Sequence, residues 1–490
     1  MSQQERARKT KNKKNHDIYE NRRKNLRNHE TNVISFLFIG LFLTMAIYLV
    51  YFNVAVAPKI INNPYNKMID TQQDKVVRGN ILACDGTVLA STQINEEGEE
   101  YRYYPFSNMY CHVVGLKSEK TGIEGIANFE LLSTDGNIIK ELGADLQGKK
   151  SRGNDCLTTL VPSLQEAAYQ ALGDNKGAVI AMEPSSGKIL AMVSKPDYNP
   201  NDAAQKYEEW LSYDSSDSVL LNRATKGLYA PGSTFKVMTA LEYIRENSTY
   251  GSFSYECDGS AYIQGGTTIP CFDQTAHGFE NLTDAFSNSC NSAFSTIGCQ
   301  LDLEKFKKTC EDSLFNQSLK IGMDASDSSF ELDANSGISL VQETSIGQGK
   351  TMISPIHNLM IISAIANEGV MMKPYLVDTI QTSEGTILKK TQPESRAQIC
   401  TSDEASTISD LCRSVVMQGT GAAFRNASYE VAGKTGTAQY DSSDNAHSWF
   451  VGFAPYDNPQ ISICVILEGG YTKVANAQQV AKNVLDSFFG

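Results

Sequence analysis

The sequence predicts an α+β protein in which helices cover an antiparallel sheet, preceded by a small β-rich pedestal and one N-terminal transmembrane helix. Three observations lead to this prediction. An uncharged, mainly apolar run occupies residues 33–52. Short strand-like stretches and many glycines follow between residues 76 and 152. Beyond residue 153 strand patterns come first, helical patterns follow, and strands with a final helix return, an order typical of a sheet covered by helices.

The apolar run has the length of a membrane span. Its 20 residues, at about 1.5 Å rise per residue, cross a hydrocarbon core of about 30 Å. A buried core helix and a cleaved signal peptide are the alternatives, and Ala55-Val56-Ala57 resembles a cleavage site. The run is longer than a typical signal sequence, so we expect a single-pass transmembrane helix over residues 31–53.

Charge is distributed unevenly along the chain. Residues 1–30 hold ten Lys/Arg and four Asp/Glu, a net charge of +6. The positive-inside rule then predicts a cytoplasmic, disordered basic tail over 1–30 and an extracytoplasmic remainder at the cell membrane. Since the whole chain carries −13, residues 31–490 carry −19. The negative charge of residues 31–490 excludes nucleic acid as a partner, because binding phosphate requires a basic surface.

The extracytoplasmic part divides in two. Residues 54–152 are predicted to be a stalk and pedestal domain, with Asp85-Gly86 at a hairpin turn, and residues 153–490 a larger second domain. Within the latter the patterns predict a helix at 164–172, strands at 178–182 and 189–193, and mainly helices from 235 to 366. They further predict strands at 449–453 and 461–467 and a helix at 476–489.

The pattern Ser-x-x-Lys, suited to a nucleophile and its base, occurs twice. Ser185–Lys188 falls in a predicted hairpin turn, whereas Ser233 and Lys236 open a helix with an apolar face. An i, i+3 spacing on a helix places Ser and Lys about 5–6 Å apart at Cβ, so the amine can reach the hydroxyl. The alternative is that Ser233 caps the helix and Lys236 is a solvated charge.

Two further patterns each occur twice, as Ser-x-Asn and Lys-Thr-Gly. Ser289-Cys290-Asn291 lies in an apolar segment, whereas Ser443-Asp444-Asn445 lies in a polar loop. Lys434-Thr435-Gly436-Thr437 precedes a predicted strand, whereas Lys120-Thr121-Gly122 lies in a charged stretch. A helix cap and a surface turn are the structural alternatives. One set alone, 233–236, 289–291 and 434–437, has the order Ser-x-x-Lys, Ser-x-Asn, Lys-Thr-Gly with suitable contexts.

Other signals are weaker. Neither Gly-Lys-Thr segment has the earlier glycine of a phosphate loop. The six histidines and eleven cysteines show no convincing metal-ligand spacing, and His277 and His447 are interpreted as structural. Cys257 and Cys271 flank a Gly265-Gly266 turn, so a disulfide and separate buried thiols both remain open.

The three ordered motifs and their surroundings resemble the transpeptidase domain of penicillin-binding proteins. Four further stretches resemble that domain, namely 177–192, 229–236, 346–349 with 354–355, and 447–455. The segments 78–81 and 122–125 resemble the pedestal of the class B subgroup. About 100 residues separate the apolar run from this domain, too few for the glycosyltransferase of class A. The chain is therefore identified as a class B, monofunctional member, a short form without C-terminal repeat domains.

This resemblance implies a peptidoglycan D,D-transpeptidase that cross-links stem peptides through a Ser233 acyl-enzyme and is inhibited covalently by β-lactams. It assigns catalytic roles to Ser233, Lys236, Ser289, Asn291 and Lys434. It assigns substrate binding to Thr435, Gly436 and Thr437, and an oxyanion hole to the backbone N–H groups of Ser233 and Thr437. It implies no metal or organic cofactor, and a membrane glycan polymerase of the elongation, division or sporulation machinery as partner.

Two other functions remain open at this point. The first is a hydrolase, either a D,D-carboxypeptidase or a β-lactamase, which would need a base to activate water on the acyl-enzyme. The second is a non-catalytic penicillin-binding scaffold or receptor. The complete motif set disfavours the scaffold. The membrane anchor and the pedestal favour an enzyme that acts on the cell wall over a hydrolase.

Overall fold

The computed structural model describes residues 3–52, 56, 76–134, 150–214, 217–439, 446–469 and 476–490. The chain forms two units, Met1–Lys67 and Met68–Gly490. The first contains helix α1 (Gln3–Tyr51), whose stretch Thr31–Tyr51 is long and apolar enough to cross a membrane. The expected disorder of the basic tail is wrong for its described part. Residues 3–30 contain neither glycine nor proline and many residues of high helix propensity, so the helix continues through them. The predicted stalk, residues 54–75, lies outside the described residues except for residue 56.

The second unit is built from short strands and helices. Its described strands are β1 (Val76–Val77), β2 (Ile81–Leu82), β3 (Val88–Ile94), β4 (Glu100–Tyr103), β5 (Ser151–Arg152), β6 (Asp155–Thr158), β7 (Gly177–Met182), β8 (Ile189–Lys195), β9 (Tyr255–Cys257), β10 (Ser260–Tyr262), β11 (Thr268–Pro270), β12 (Gly278–Glu280), β13 (Val370–Met372), β14 (Val377–Gln381), β15 (Ile387–Lys390), β16 (Ser395–Gln398), β17 (Ala432–Gln439), β18 (Ala446–Ala454) and β19 (Ile461–Leu467).

The described helices of this unit are α2 (Cys111–Val114), α3 (Gly122–Ile126), α4 (Asn128–Leu132), α5 (Pro162–Leu172), α6 (Ala203–Leu211), α7 (Arg223–Lys226), α8 (Lys236–Glu246), α9 (Leu282–Ser287), α10 (Asn291–Gly298), α11 (Leu303–Asp312), α12 (Ile338–Ser345), α13 (Pro355–Ala366), α14 (Ser402–Met417) and α15 (Ala477–Phe489).

A five-stranded antiparallel sheet in the order β17-β18-β19-β7-β8 forms the centre of the unit. Its strands are buried on both faces. In β19, Val465 belongs to the core beneath α5 and α15, while the next residue, Ile466, belongs to the core beneath α13. Alternate side chains of a strand point to opposite faces, so helices must cover both sides of this sheet. The predicted sheet covered by helices is confirmed.

A second, six-stranded sheet has the order β15-β14-β6-β2-β3-β4. It joins β2, β3 and β4 of the pedestal to strands that come later in the chain, with β6 parallel to β2 and antiparallel to β14. The division between pedestal and catalytic domain after residue 152 stays a prediction. β6 begins just beyond it and pairs with strands from both sides of that division.

A cluster of buried charged side chains stabilises the pedestal. Arg78 donates from Nε to Glu124 Oε2 at 2.7 Å, and Arg102 donates from Nε to Glu124 Oε1 at 2.6 Å. Glu124 is fully buried. Burial alone would raise the pKa of Glu124, but Arg102 and Arg78 outweigh it and hold that pKa below its usual value. Arg78 and Glu124 lie in the two segments that resemble the class B pedestal, and Arg102 lies on β4.

Most predicted elements are present. The turn at Asp85-Gly86 joins β2 to β3, and the predicted hairpin of 178–182 and 189–193 is β7 with β8. The terminal strands and the last helix are also confirmed, the helix with Asn476 as its N-cap. The predicted mainly helical stretch from 235 to 366 is interrupted by β9 to β12, strands too short for their period to show in the sequence.

Candidate active site

Ser233 lies in a tight 3-10 turn, Gly232–Phe235, that leads directly into α8. Gly232 has φ +53°, and a Cβ built there would lie 2.6 Å from the carbonyl oxygen of Thr437. A side chain is therefore excluded, and glycine lets the turn pack against β17. Ser233 is partly exposed and is not an N-cap, since Pro231 is the N-cap of the turn and Phe235 that of α8. The alternative reading of Ser233 as a helix cap finds no support in this geometry.

Gly347 also contacts the Gly232–Phe235 turn, through its backbone. Gly232 N donates to Gly347 O at 2.8 Å. A Cβ on Gly347, which has φ +78°, would lie 1.9 Å from Gly232 O. Two glycines thus allow two backbone segments to approach each other behind the serine.

Lys236 follows one turn after Ser233 and is fully buried. Its Nζ donates to Ser233 Oγ at 3.1 Å, to Ser289 O at 2.7 Å and to Asn291 Oδ1 at 2.7 Å. A further contact reaches Ser289 Oγ at 3.2 Å. The helix spacing anticipated from the sequence therefore brings the amine to the hydroxyl, and the reading of Lys236 as a solvated charge is wrong.

Ser289 lies between α9 and α10 in a left-handed conformation, with φ +58°. This conformation costs an ordinary residue roughly 1–2 kcal/mol, so the surrounding structure must stabilise it. Cys290 begins α10 as its N-cap, with its Sγ accepting from Ala293 N at 3.4 Å. Asn291 donates from Nδ2 to Pro270 O at 3.0 Å, which anchors this end of the turn.

Lys434 approaches Ser289 from the opposite side. It lies on β17, an edge strand of the central sheet, and is fully buried. Its Nζ donates to Ser289 Oγ at 2.9 Å and to Thr435 O at 3.2 Å. The Ser289 hydroxyl therefore lies between the amines of Lys236 and Lys434.

The remaining residues of the third motif lie on the same edge strand. Thr435 and Thr437 are partly exposed, and they alternate with buried Lys434 and Gly436. Thr435 Oγ1 lies 2.6 Å from Thr420 Oγ1. This segment is a strand paired with β18 rather than a surface turn. An edge strand leaves one side of its backbone free to pair with an extended peptide.

Burial sets the electrostatics of the two lysines. It lowers the pKa of Lys236 to about 8. Burial, together with the charge of Lys236, lowers the pKa of Lys434 well below its usual value. Two buried amines beside one hydroxyl disfavour a double positive charge. The arrangement therefore favours a neutral amine that accepts a proton and a charged amine that attracts an anion.

The structure thus brings together all the predicted site residues: Ser233, Lys236, Ser289, Asn291, Lys434, Thr435, Gly436 and Thr437. The competing segments lie elsewhere. Ser185–Lys188 is in the turn between β7 and β8, and Lys120-Thr121-Gly122 leads into α3. The third, Ser443-Asp444-Asn445, lies outside the described residues. Thr420 was missed, because a lone threonine before a 3-10 turn carries no sequence signal of its partner on β17.

Comparison with known proteins identifies this fold and motif set. Residues 177–486 match the model of the penicillin binding protein transpeptidase domain, and residues 78–156 match that of the penicillin binding protein A dimerisation domain. The first match covers more than half of the chain. The chain belongs to the penicillin-binding protein family. The predicted family and its α+β transpeptidase fold are therefore confirmed.

Several relatives of this penicillin-binding protein support the assignment. Peptidoglycan D,D-transpeptidase PbpA of Mycolicibacterium smegmatis is 30% identical over 441 residues, which cover 83% of this chain and 87% of the relative. The crystal structure of the D,D-transpeptidase domain of a peptidoglycan glycosyltransferase from Eggerthella lenta has a TM-score of 0.76 at 30% identity, covering 85% of this chain and 98% of that one. Penicillin-binding protein A of M. tuberculosis was solved as an imipenem acyl-enzyme complex. It has a TM-score of 0.76 at 26% identity, and the match covers 85% of this chain and 99% of that one.

Proposed function

We propose that this chain is a membrane-anchored, serine-type peptidoglycan D,D-transpeptidase whose acyl-enzyme forms on Ser233. The observation that carries this proposal is the contact of Lys236 Nζ with Ser233 Oγ at 3.1 Å, beside a second buried amine that shares Ser289. A nucleophile, a base and a cationic subsite for an anion thus occupy one place in the fold. The family relationship supports the substrate, a stem peptide of peptidoglycan.

The first step is acylation. Ser233 Oγ attacks the carbonyl carbon of the penultimate D-alanine, and its proton passes to neutral Lys236 Nζ. Backbone N–H groups of Ser233 and Thr437 form the oxyanion hole, where each donor contributes about 3 kcal/mol in comparable sites. When the tetrahedral intermediate collapses, its C–N bond breaks and the departing D-alanine amine receives a proton relayed through Ser289. An ester of Ser233 remains.

The terminal carboxylate of the substrate is placed by the third motif. While Lys236 is neutral, Lys434 carries the single positive charge of the pair and attracts this carboxylate, and the hydroxyls of Thr435 and Thr437 donate hydrogen bonds to it. Gly436 lets β17 pack closely against the nucleophile turn, because a Cβ there would lie 3.0 Å from Thr234 Cγ2 and 3.0 Å from Trp449 Cβ. Asn291 holds Lys236 and contacts the substrate amide. An amine of a neighbouring stem peptide then attacks the ester, which frees Ser233 and forms the cross-link.

Acylation by penicillin tests the proposal. Full-length protein in detergent should be labelled by a fluorescent penicillin, and Ser233→Ala should abolish the label. Ser185→Ala is the matched control, since Ser185 opens the competing Ser-x-x-Lys segment, and it should label like the wild type. Retention of label by Ser233→Ala would contradict the proposed nucleophile.

The fate of the acyl-enzyme separates transpeptidase from hydrolase. With a stem peptide as donor and a second as acceptor, a transpeptidase releases D-alanine and forms dimer, whereas a carboxypeptidase releases D-alanine alone. A β-lactamase would lose the penicilloyl label within seconds. We expect dimer and a persistent label. Hydrolysis without dimer would refute the transfer reaction, and the absence of any acylation would leave a binding scaffold.

We further propose a topology and a partner. In this topology residues 1–30 lie in the cytoplasm, as their basic charge favours, Thr31–Tyr51 spans the membrane, and the catalytic domain is extracytoplasmic. Class B membership supports a membrane glycan polymerase as partner, because a monofunctional transpeptidase needs nascent glycan strands from another enzyme. Protease added to intact spheroplasts should remove the catalytic domain and leave a tag at residue 1 protected.

A further inference from the structure

Three cysteines and one histidine meet beside the Ser-x-Asn motif, at a place that the proposed reaction does not use. Cys257, Cys271, His277 and Cys290 each present one ligand atom, and these atoms all lie within 4.8 Å of one another. The three cysteines are buried and His277 is half-buried. Among the described residues no other group of metal-ligating side chains converges in this way.

The backbone explains why these four residues meet. Cys257 ends β9, and its register partner on β12 is Gly278, the neighbour of His277. Cys271 directly follows β11, and its N–H donates to Gly259 O at 2.9 Å. Cys290 begins α10. Ligands from two small sheets and a helix start therefore converge, although their sequence spacing matches no familiar metal motif.

Three of the six distances between the ligand atoms are close to those of a tetrahedral metal site, and all six are within 4.8 Å. Cys257 Sγ and Cys271 Sγ are 3.7 Å apart, as are Cys271 Sγ and Cys290 Sγ, while Cys257 Sγ lies 3.3 Å from His277 Nδ1. Zinc bonds of about 2.3 Å to sulfur and about 2.0–2.1 Å to nitrogen place tetrahedral ligands about 3.8 Å and about 3.6 Å apart. A disulfide needs sulfurs about 2.05 Å apart. The cysteines are free thiols here.

A buried carboxylate supports a positive charge at this place. Glu280 is 2% exposed, and its Oε1 accepts from Asn288 Nδ2 at 2.9 Å. Within the described part of the chain, its Oε2 accepts no N–H or O–H hydrogen bond; it lies 4.0 Å from His277 Nδ1, and the carboxylate is within reach of the Cys290 thiol. An unsatisfied buried carboxylate oxygen is costly, and a cation among the neighbouring thiolates would offset that cost.

We infer that Cys257, Cys271, His277 and Cys290 bind a structural zinc ion that fixes the Ser289–Asn291 turn of the active site. Three thiolates with one imidazole are a known closed zinc set, and soft sulfur ligands in tetrahedral geometry select zinc. Cys290 separates Ser289 from Asn291, and Asn291 is anchored on Pro270, the neighbour of Cys271. The ion therefore links Cys290, which neighbours Asn291, to Cys271, which neighbours Pro270, and so stabilises the Asn291–Pro270 hydrogen bond from both ends. Cys257 and Cys271 are metal ligands in this account, not a disulfide.

The test is the metal content of the full-length protein, purified in detergent through a tag that binds no metal. Mass spectrometry should find about one zinc per chain in the wild type. Cys271→Ala should lower this to below one tenth. Cys310→Ala removes a buried thiol on α11 outside the cluster and should keep the full zinc content. A chain without zinc, or zinc retained in Cys271→Ala, would overturn the inference.

A second measurement remains informative if Cys271→Ala does not fold. Wild-type protein stripped with a chelator and reloaded with cobalt should show the visible bands of tetrahedral Co²⁺ and thiolate-to-cobalt charge transfer. Reloading with zinc should bleach both. An absent cobalt spectrum, or a Cys257–Cys271 disulfide in the peptide map of the untreated protein, would contradict the site. Neither readout depends on the proposed transpeptidation.

Discussion

The rate of penicillin acylation should rise with pH according to the titration of Lys236. The neutral amine is the base, so the rate follows the deprotonated fraction and increases as pH rises through the pKa. With a pKa of about 8, that fraction is about 10% at pH 7 and about 90% at pH 9. We therefore expect a roughly tenfold rise that levels off near pH 9.

The size of the rise distinguishes a buried from a solvated lysine. An amine at its ordinary value of 10.5 would give a rise of about 100-fold over the same two units, with no plateau. Because two lysines share Ser289, the inflection belongs to the pair rather than to one residue.

Stopped-flow acylation with a chromogenic cephalosporin measures this profile directly. Lys236→Ala should lose about 10²- to 10⁴-fold in acylation rate, the usual contribution of a positioned base. Lys188→Ala alters the lysine of the competing segment and should reproduce the wild-type curve. A rate independent of pH between 7 and 9, or an inflection near 10.5, would refute the assignment of Lys236 as a buried base.

Three other substitutions test separate parts of the account. Lys434→Ala should slow acylation by about 10- to 100-fold through loss of a charge-assisted contact to the carboxylate, seen mainly in KM. Glu124→Gln should destabilise the protein by about 3–5 kcal/mol, because two buried arginines lose their partner, and thermal unfolding would show it. Lowering the pH should also reduce stability, because the contribution of the Glu124 carboxylate is fully present above its unfolded-state pKa of about 4.3. This contribution is lost as the pH falls through the lower folded-state pKa of Glu124. Gly347→Ala should abolish acylation, since its Cβ would clash with Gly232 O. A normal acylation rate in Lys434→Ala, an unchanged melting temperature in Glu124→Gln, or normal penicillin labelling of Gly347→Ala would contradict these expectations.

The sequence predicted the nucleophile site well because its first motif is local. Ser233 and Lys236 are three residues apart, and helix geometry alone brings their side chains together. The meeting of these two with Ser289 and Lys434 is long-range, and periodicity cannot show it. It was predicted from motif order and family resemblance. The segment 346–349 resembles the family, but nothing in the sequence indicated that Gly347 contacts Gly232. The hydrogen bond of Thr420 to Thr435 had no sequence signal of either kind.

The segment that contains the four short strands β9 to β12 was the main structural feature that sequence patterns missed. Each of these strands has three residues, too few for an alternation of apolar and polar side chains to be recognised. The sequence did indicate the Gly265-Gly266 turn, which joins β10 to β11. It could not show that β9 pairs with β12, since this pairing encloses the hairpin and brings His277 to the cysteines.

A peptide map of the penicilloyl adduct tests the central claim most directly. After brief exposure of the full-length protein to penicillin G, tandem mass spectrometry should place one added penicilloyl group on Ser233. An adduct on Ser185, on Ser289 or on a cysteine would contradict the account, and so would a protein that folds normally but takes up no penicillin.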